Sequence, residues 1–199
     1  MSFTLGWLNP LDLKPHEDVI ESIVVENINM LKRFCKIVPI VVDRSSLTIL
    51  DGHHRHQAAV ILGLDKIPVV LVDYRSEDIK IENWYLRIEN KNTFNLFVNS
   101  YLLVSYDQRK RYCATIKGIR IICDESIFRL YWKTEHLKQK FEKLGLKAVK
   151  VTEPDGIALP PIDKETVIKL ASMGLRFPPK STRHVYKFFI PREELSLKC

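Results

Sequence analysis

The sequence is poor in the features that mark several large classes of protein. No apolar run approaches the ~18 residues needed to span a membrane. No charged stretch followed by an apolar one opens the chain as a secretory signal would. A soluble, cytoplasmic protein is therefore expected. Only four cysteines occur, Cys35, Cys113, Cys123 and Cys199, with no CxxC spacing and no metal-ligand pattern. A chain of 199 residues does not need staples, so two or more of them are expected to be small buried hydrophobes. There is no GxxxxGK(S/T) phosphate loop and no His-Arg-Asp or Asp-Phe-Gly of a protein kinase. Internal repeats, low-complexity linkers and a long basic tail are missing as well. Glutamine is scarce beside many Ile, Lys and Glu, a composition found in thermophiles.

What remains is a globular composition, 46% hydrophobic and 28% charged, which suits one domain or one domain with a small lobe. The net charge of +7 suits nucleic acid, an anionic surface or a phosphorylated small ligand. The basic residues are spread along the chain, with local clusters at Arg109–Arg111 and Lys138–Lys143. A solvated face is the expectation, with no specific nucleic acid and no membrane as partner.

The periodicity predicts an α/β chain with one mixed sheet. A strand is expected over Phe3–Leu8 and a helix from Asp18 to about Cys35, with Ile20, Ile23, Val24, Ile28 and Leu31 on one side. Pro39–Asp43 and Leu47–Leu50 read as strands around a turn. His54–Leu62 reads as a helix closed by Gly63, and Ile67–Val72 as a strand buried on both faces. Further strands are expected near Ile79–Trp84 and Arg120–Cys123. Helices follow over Ser126–Leu144 and Asp163–Ser172, and a last strand over Val185–Ile190. We expect a core over about residues 1–84, an added lobe over about 85–175, and a loop over about 177–184, all in one body.

The strongest chemical signal is Ile49-Leu50-Asp51-Gly52-His53-His54-Arg55. An apolar strand runs into Asp-Gly and then into a helix, whose N-terminus offers unpaired N–H groups and partial positive charge to an anion. Gly52 lets backbone approach closely. His53, His54 and Arg55 add side-chain donors, and Asp51 can hold Mg2+ between phosphate oxygens. Two other readings stand beside this one. Asp-Gly can be a plain turn with solvated histidines beyond it. Asp51, His53, His54 and His56 can also be read as transition-metal ligands, although the three histidines diverge on a helix.

The stretch from Ile49 through Tyr74 resembles the ParB/sulfiredoxin superfamily, whose strand–turn–helix carries a phosphate-binding motif. The form Asp51-Gly52-His53-His54-Arg55 is similar to that of the archaeal free-serine kinases. Leu13-Lys14-Pro15-His16-Glu17 resembles their Pro-His-Glu segment. Pro178-Pro179-Lys180-Ser181-Thr182-Arg183-His184 resembles their C-terminal Pro-Lys-Ser/Thr-Thr-Arg-His motif. The three segments run in order across residues 13–184.

This resemblance implies a ParB/sulfiredoxin-like fold with a C-terminal elaboration. It implies phosphoryl transfer from ATP or ADP to L-serine with Mg2+, and a product, O-phospho-L-serine, that feeds cysteine biosynthesis. By the same resemblance Glu17 is the catalytic carboxylate, and Asp51 positions Mg2+ or the nucleotide phosphates. Gly52, His53, His54 and Arg55 cradle those phosphates. Trp84, Lys180, Ser181, Thr182, Arg183 and His184 belong to substrate binding. Taken without the resemblance, Glu17 is a charge near a helix start, Trp84 a packing aromatic and 180–184 a polar loop. The choice of donor nucleotide and the oligomeric state are left open. The alternative from another class is a ParB-like nucleic-acid-binding regulator or nucleotide switch. A sulfiredoxin-like reductase is disfavoured, because histidine stands where its cysteine is required.

Overall fold

A computed structural model describes residues 3–89 and 111–197. Arg109, Lys110 and Cys199, which figure in the sequence reading, lie outside the described residues. The chain divides into two units. The first comprises Met1–Ile81, Asp163–Pro179 and His184–Cys199, and the second Glu82–Ile162 and Lys180–Arg183.

The first unit is built on a four-stranded mixed sheet ordered β1-β5-β3-β4. Its strands are β1 (Phe3–Leu8), β3 (Ile40–Asp43), β4 (Ile49–Asp51) and β5 (Ile67–Val72). The β-branched run of β5 occupies an interior position, parallel to β3 and antiparallel to β1. Ile67, Val69, Val70 and Val72 are accordingly fully buried, as a strand covered on both faces requires. This unit also carries the helices α1 (Glu21–Phe34) and α2 (His53–Ile61). Val24 and Leu31 of α1 pack with Ala58 of α2 and with Ile37 of the short strand β2 (Lys36–Ile37). Ala59 on the same helix joins the sheet core formed by Leu13, Ile40, Val42, Ile49, Ile67 and Val69. Burying each such aliphatic side chain contributes about 1.5–3 kcal/mol.

The helix expected from Asp18 starts at Glu21 instead. The physical reason is a competing partner. Glu17 forms a parallel bridge with Phe177, and the Asp18 N–H donates to the Phe177 carbonyl at 2.7 Å. Backbone held extended in this way cannot turn helical until it has passed the bridge.

The second unit carries β7 (Tyr85–Ile88), β8 (Tyr112–Ile116), β9 (Ile119–Asp124), β10 (Ala148–Val151) and β11 (Ile157–Ala158). They form a sheet ordered β10-β7-β11-β8-β9. Its long helix, α3 (Ile127–Lys143), begins at the Ser126 cap, whose hydroxyl accepts from the Arg129 N–H. Leu130, Leu137 and Phe141 of α3 fill a core with Leu86, Ile88, Ala114, Ile121, Ile122 and Ile157. Cys113 and Cys123 face each other across β8 and β9 and are disulfide-bonded. Cys35 is disulfide-bonded too, and no described cysteine is free. The expectation of unpaired hydrophobic cysteines is thereby corrected. Cross-strand register, which sequence spacing does not reveal, places two sulfurs within bonding reach.

The short helix α4 (Lys164–Ser172) belongs to the first unit and is capped by Asp163, which accepts from the Thr166 N–H. The last expected strand is shifted: β12 spans Arg183–Tyr186 and pairs with β6 (Ile79–Glu82). Arg183 and His184 are thus strand residues and not part of a loop. The strand starts at Arg183, three residues after Lys180, which sits in the left-handed region at φ 55°. A final short strand, β13 (Leu195–Ser196), pairs with β2. Among the described residues no helix is long and apolar enough to cross a membrane.

Candidate functional site

The first unit gathers the Pro15-His16-Glu17 segment around the turn between β4 and α2. Residues 14–18 run extended between two neighbours. On one side Lys14 bridges to Thr48, and the Ile49 N–H donates to the Lys14 carbonyl at 3.0 Å. On the other the Phe177 N–H donates to the His16 carbonyl at 2.8 Å. This pins Glu17 with only 8% of its surface exposed. Its Oε1 lies 3.8 Å from His16 Nε2. A carboxylate held this way is oriented before any ligand arrives.

The turn itself is made by Gly52, the N-cap of α2, at φ 100° and ψ 26°. No side chain of the cap residue accepts from the first turn of the helix, which leaves the type of N-terminus that attracts anions. The absent Cβ also makes room. A Cβ on Gly52 would stand 2.8 Å from Arg55 Nη2 and 3.1 Å from Ile40 Cγ1. The Arg55 guanidinium folds into that space, with Nη2 3.5 Å from Asp51 Oδ2. Arg192 approaches the same oxygen at 3.7 Å. Two buried donors here, Arg55 Nε and the Tyr186 hydroxyl, have no hydrogen-bond partner among the described residues. Burial first, and Asp51 second, push the Tyr186 phenol well above its ordinary range, so it stays a donor. Unpaired buried donors cost free energy, and an anionic ligand would satisfy them.

Around this turn lies a set of buried histidines. The His16 and His53 rings meet edge-on at 4.6 Å, and the His16 and His184 rings at 5.6 Å. Burial is the main cause that lowers the pKa of all three. For His53 the neighbouring histidines add to it, whereas for His16 the Glu17 charge partly opposes it. Each ring has a defined hydrogen-bond partner. His16 Nδ1 donates to the Ile49 carbonyl at 2.7 Å. His53 Nε2 accepts from the His16 N–H at 3.3 Å, and His54 Nε2 accepts from the Ile20 N–H at 3.0 Å. His184 Nε2 is 2.7 Å from the Tyr74 hydroxyl, and the His184 ring also bonds the Leu50 carbonyl. Burial, reinforced by nearby acidic groups, keeps Tyr74 protonated, so its O–H donates to the ring. His56 turns away to the Pro10 carbonyl at 2.8 Å. Among the described residues no group of three or more His, Cys, Asp or Glu is arranged to hold a metal ion.

The other expected residues lie in the second unit, apart from His184. There the Trp84 indole N–H donates to the Thr182 carbonyl at 3.1 Å, and the Lys180 ammonium sits 5.8 Å from the Trp84 ring centre. Arg183 pairs with Glu82 at 2.9 Å. Ser181 and Thr182 are buried. Trp84, Lys180 and Ser181 line a small cleft together with Tyr131, Glu135 and Lys150, and Glu135 and Lys150 form an ion pair at 3.0 Å.

Sequence reasoning missed Tyr74, Tyr186 and Arg192 in the first unit, and Glu135 and Lys150 in the second. None stands in a local motif. The available signals were the aromatic just after the Ile67–Val72 strand and the arginine following Pro191.

A protein from Sulfolobus acidocaldarius described as ParB-like is 41% identical over 198 residues, covering 99% of this chain and 98% of its own length. Two shorter similarities span only about a third of each partner. An ATP-dependent L-serine kinase from Staphylothermus marinus is 30% identical over 78 residues, 37% of this chain and 31% of its own. An ADP-dependent L-serine kinase from Thermococcus kodakarensis is 32% identical over 78 residues, 37% of this chain and 32% of its own. No family model matches the chain. Among solved structures, a free serine kinase variant in complex with AMP superposes with a TM-score of 0.78 at 18% identity, covering 100% of this chain and 93% of that one. The two share a fold.

Proposed function

The chain belongs to the family of ParB-like proteins, and we propose that within it this member is a nucleotide-dependent kinase of free L-serine. One observation carries the reading. A buried carboxylate, Glu17, is fastened through His16 to the first turn of α2, where two buried donors await an acceptor. The nucleotide phosphates lie on the N–H groups of α2, on Arg55 and at the Tyr186 hydroxyl. Gly52 lets them approach. The local similarity to ATP- and ADP-dependent L-serine kinases supports this assignment.

In the reaction the serine Oγ forms a bond to the terminal phosphorus of the nucleotide, and the bond from that phosphorus to the bridging oxygen breaks. ATP leaves as ADP, or ADP as AMP. The hydroxyl proton passes to the Glu17 carboxylate. Phosphoryl transfer needs positioning and charge neutralisation more than covalent help, and the fixed backbone around Glu17 supplies the first. Asp51 is the carboxylate that would hold Mg2+ together with the substrate phosphates, and the bound ion would neutralise charge on the phosphoryl oxygens.

The test is incubation of purified protein with ADP or ATP, Mg2+ and a panel of amino acids, with phosphoamino acids read by mass spectrometry. Phosphoserine is expected with one nucleotide at least. Its absence with both, while labelled phosphate enters a protein substrate, refutes the reading. The ParB-like description of the full-length relative and the +7 charge favour a second reading, a nucleic-acid-binding regulator. Under the kinase reading duplex DNA binds weakly, without sequence preference, and affinity falls steeply with salt. A footprint on a defined site at physiological salt would favour the regulator.

A further inference from the structure

We propose that His53 and His54 are positioning residues that clasp the Glu17 segment through Nε2, a nitrogen thereby taken away from the phosphates. The inference rests on the kinase reading for its catalytic meaning and on geometry for the clasp itself. Both rings offer Nε2 as an acceptor to main-chain N–H groups of one short stretch. His53 takes the N–H of His16, the residue just before Glu17, and His54 takes that of Ile20, three residues after it. The segment that carries the carboxylate is therefore tied to α2 at both ends.

The Ile20 bond has a second consequence. Ile20 is the N-cap of α1, and its own side chain cannot cap. His54, reaching across from α2, occupies one of the main-chain donors left at that helix start. An imidazole whose Nε2 accepts is a donor only at Nδ1, so the nitrogen engaged in the clasp has no proton to offer a phosphate. The opposite side of the segment is held by Phe177, through hydrogen bonds at 2.7 and 2.8 Å. Paired histidines following Asp-Gly thus link the phosphate turn to the catalytic carboxylate, so that the nucleotide site and the base keep a fixed spacing.

The experiment compares His54→Gln, which keeps an acceptor at nearly the same reach, with His54→Leu, which removes it. His53→Gln and His53→Leu form a second pair. Three quantities are measured: phosphoserine turnover, nucleotide affinity by calorimetry, and amide hydrogen exchange over residues 14–24. Displacing a reacting group by ~1 Å can cost about 100-fold in rate. His54→Leu is therefore expected to lose about 10–100-fold in kcat, with nucleotide affinity changed less than about 2-fold. Exchange at Ile20 and its neighbours accelerates in the same variant, and His54→Gln recovers most of both. Weakened nucleotide binding with kcat retained in His54→Leu would overturn the proposal and return the histidine to the phosphates. Unchanged exchange in both Leu variants would overturn it as well, whatever the activity. If the wild-type protein makes no phosphoamino acid at all, the kinase reading fails, and exchange alone then decides the clasp.

Discussion

Replacing Gly52 with alanine tests the close-approach argument at its centre, and Gly63 provides an internal control. Both glycines have positive φ, at 100° and 63°. A Cβ on Gly63 meets nothing within 4 Å, whereas one on Gly52 meets Arg55 Nη2 at 2.8 Å and Ile40 Cγ1 at 3.1 Å. Gly63→Ala then costs only the left-handed backbone, about 1 kcal/mol. Gly52→Ala costs at least that, because its φ lies further from the left-handed minimum. Ile40 is fully buried and must give way, adding about 1–2 kcal/mol of overpacking. The Arg55 guanidinium moves more cheaply. Its pairing with Asp51 is long and partly exposed, and such pairs are worth at most about 1 kcal/mol. The sum is about 2–4 kcal/mol for Gly52→Ala. For a chain of this size each kcal/mol lowers Tm by roughly 2–4 °C. The assays are thermal unfolding of both variants, and calorimetric titration with ADP and ATP at a temperature where both are folded. Nucleotide affinity is expected to fall at least ~10-fold in Gly52→Ala, about 1.4 kcal/mol, and to stay unchanged in Gly63→Ala. Equal Tm losses and equal nucleotide affinities in the two variants would refute the reasoning.

Other expectations follow from the same geometry. Glu17→Gln lowers phosphoserine turnover by ~10²–10⁴-fold with nucleotide affinity preserved; turnover within a few-fold of wild type would remove Glu17 from catalysis. Asp51→Asn weakens Mg2+-dependent nucleotide binding, and calorimetry with and without the metal reads this directly. Stability should fall with acid. His16, His53, His56 and His184 all have folded pKa values below the ordinary 6.5, so the unfolded chain binds more protons between those values and 6.5. Their contribution is complete above pH 6.5 and is lost as pH falls through the folded values, with a slope of up to about 1.4 kcal/mol per pH unit for each histidine. A Tm unchanged between pH 7 and 5 would contradict this. Breaking the Cys113–Cys123 bridge, which spans 10 residues, removes about 2–3 kcal/mol by loop-closure entropy; denaturant unfolding of the double serine variant, followed by a probe in the second unit, measures it.

The elements legible from sequence were those whose signal is local. The run Ile67–Val72 reads as a strand covered on both faces, and it is one. Helical spacing located α1, α2, α3 and α4 within a few residues, because one apolar stripe and a cap are properties of a short window. Asp51-Gly52 announced a strand-to-helix turn, since few residues other than glycine sit at φ 100° without strain. What tertiary structure decided came from partners distant in sequence. Phe177 holds residues 16–18 extended and so delays α1 to Glu21. Ile20 N–H is taken by a histidine 34 positions away, and the Tyr74 hydroxyl by one 110 positions away. Cys113 found Cys123 through a strand register, and β12 began at Arg183 because β6 was there to pair with it. A periodic pattern records which face of an element is buried. Which main-chain donor a side chain will satisfy depends on how the chain has already closed upon itself, and no local window contains that.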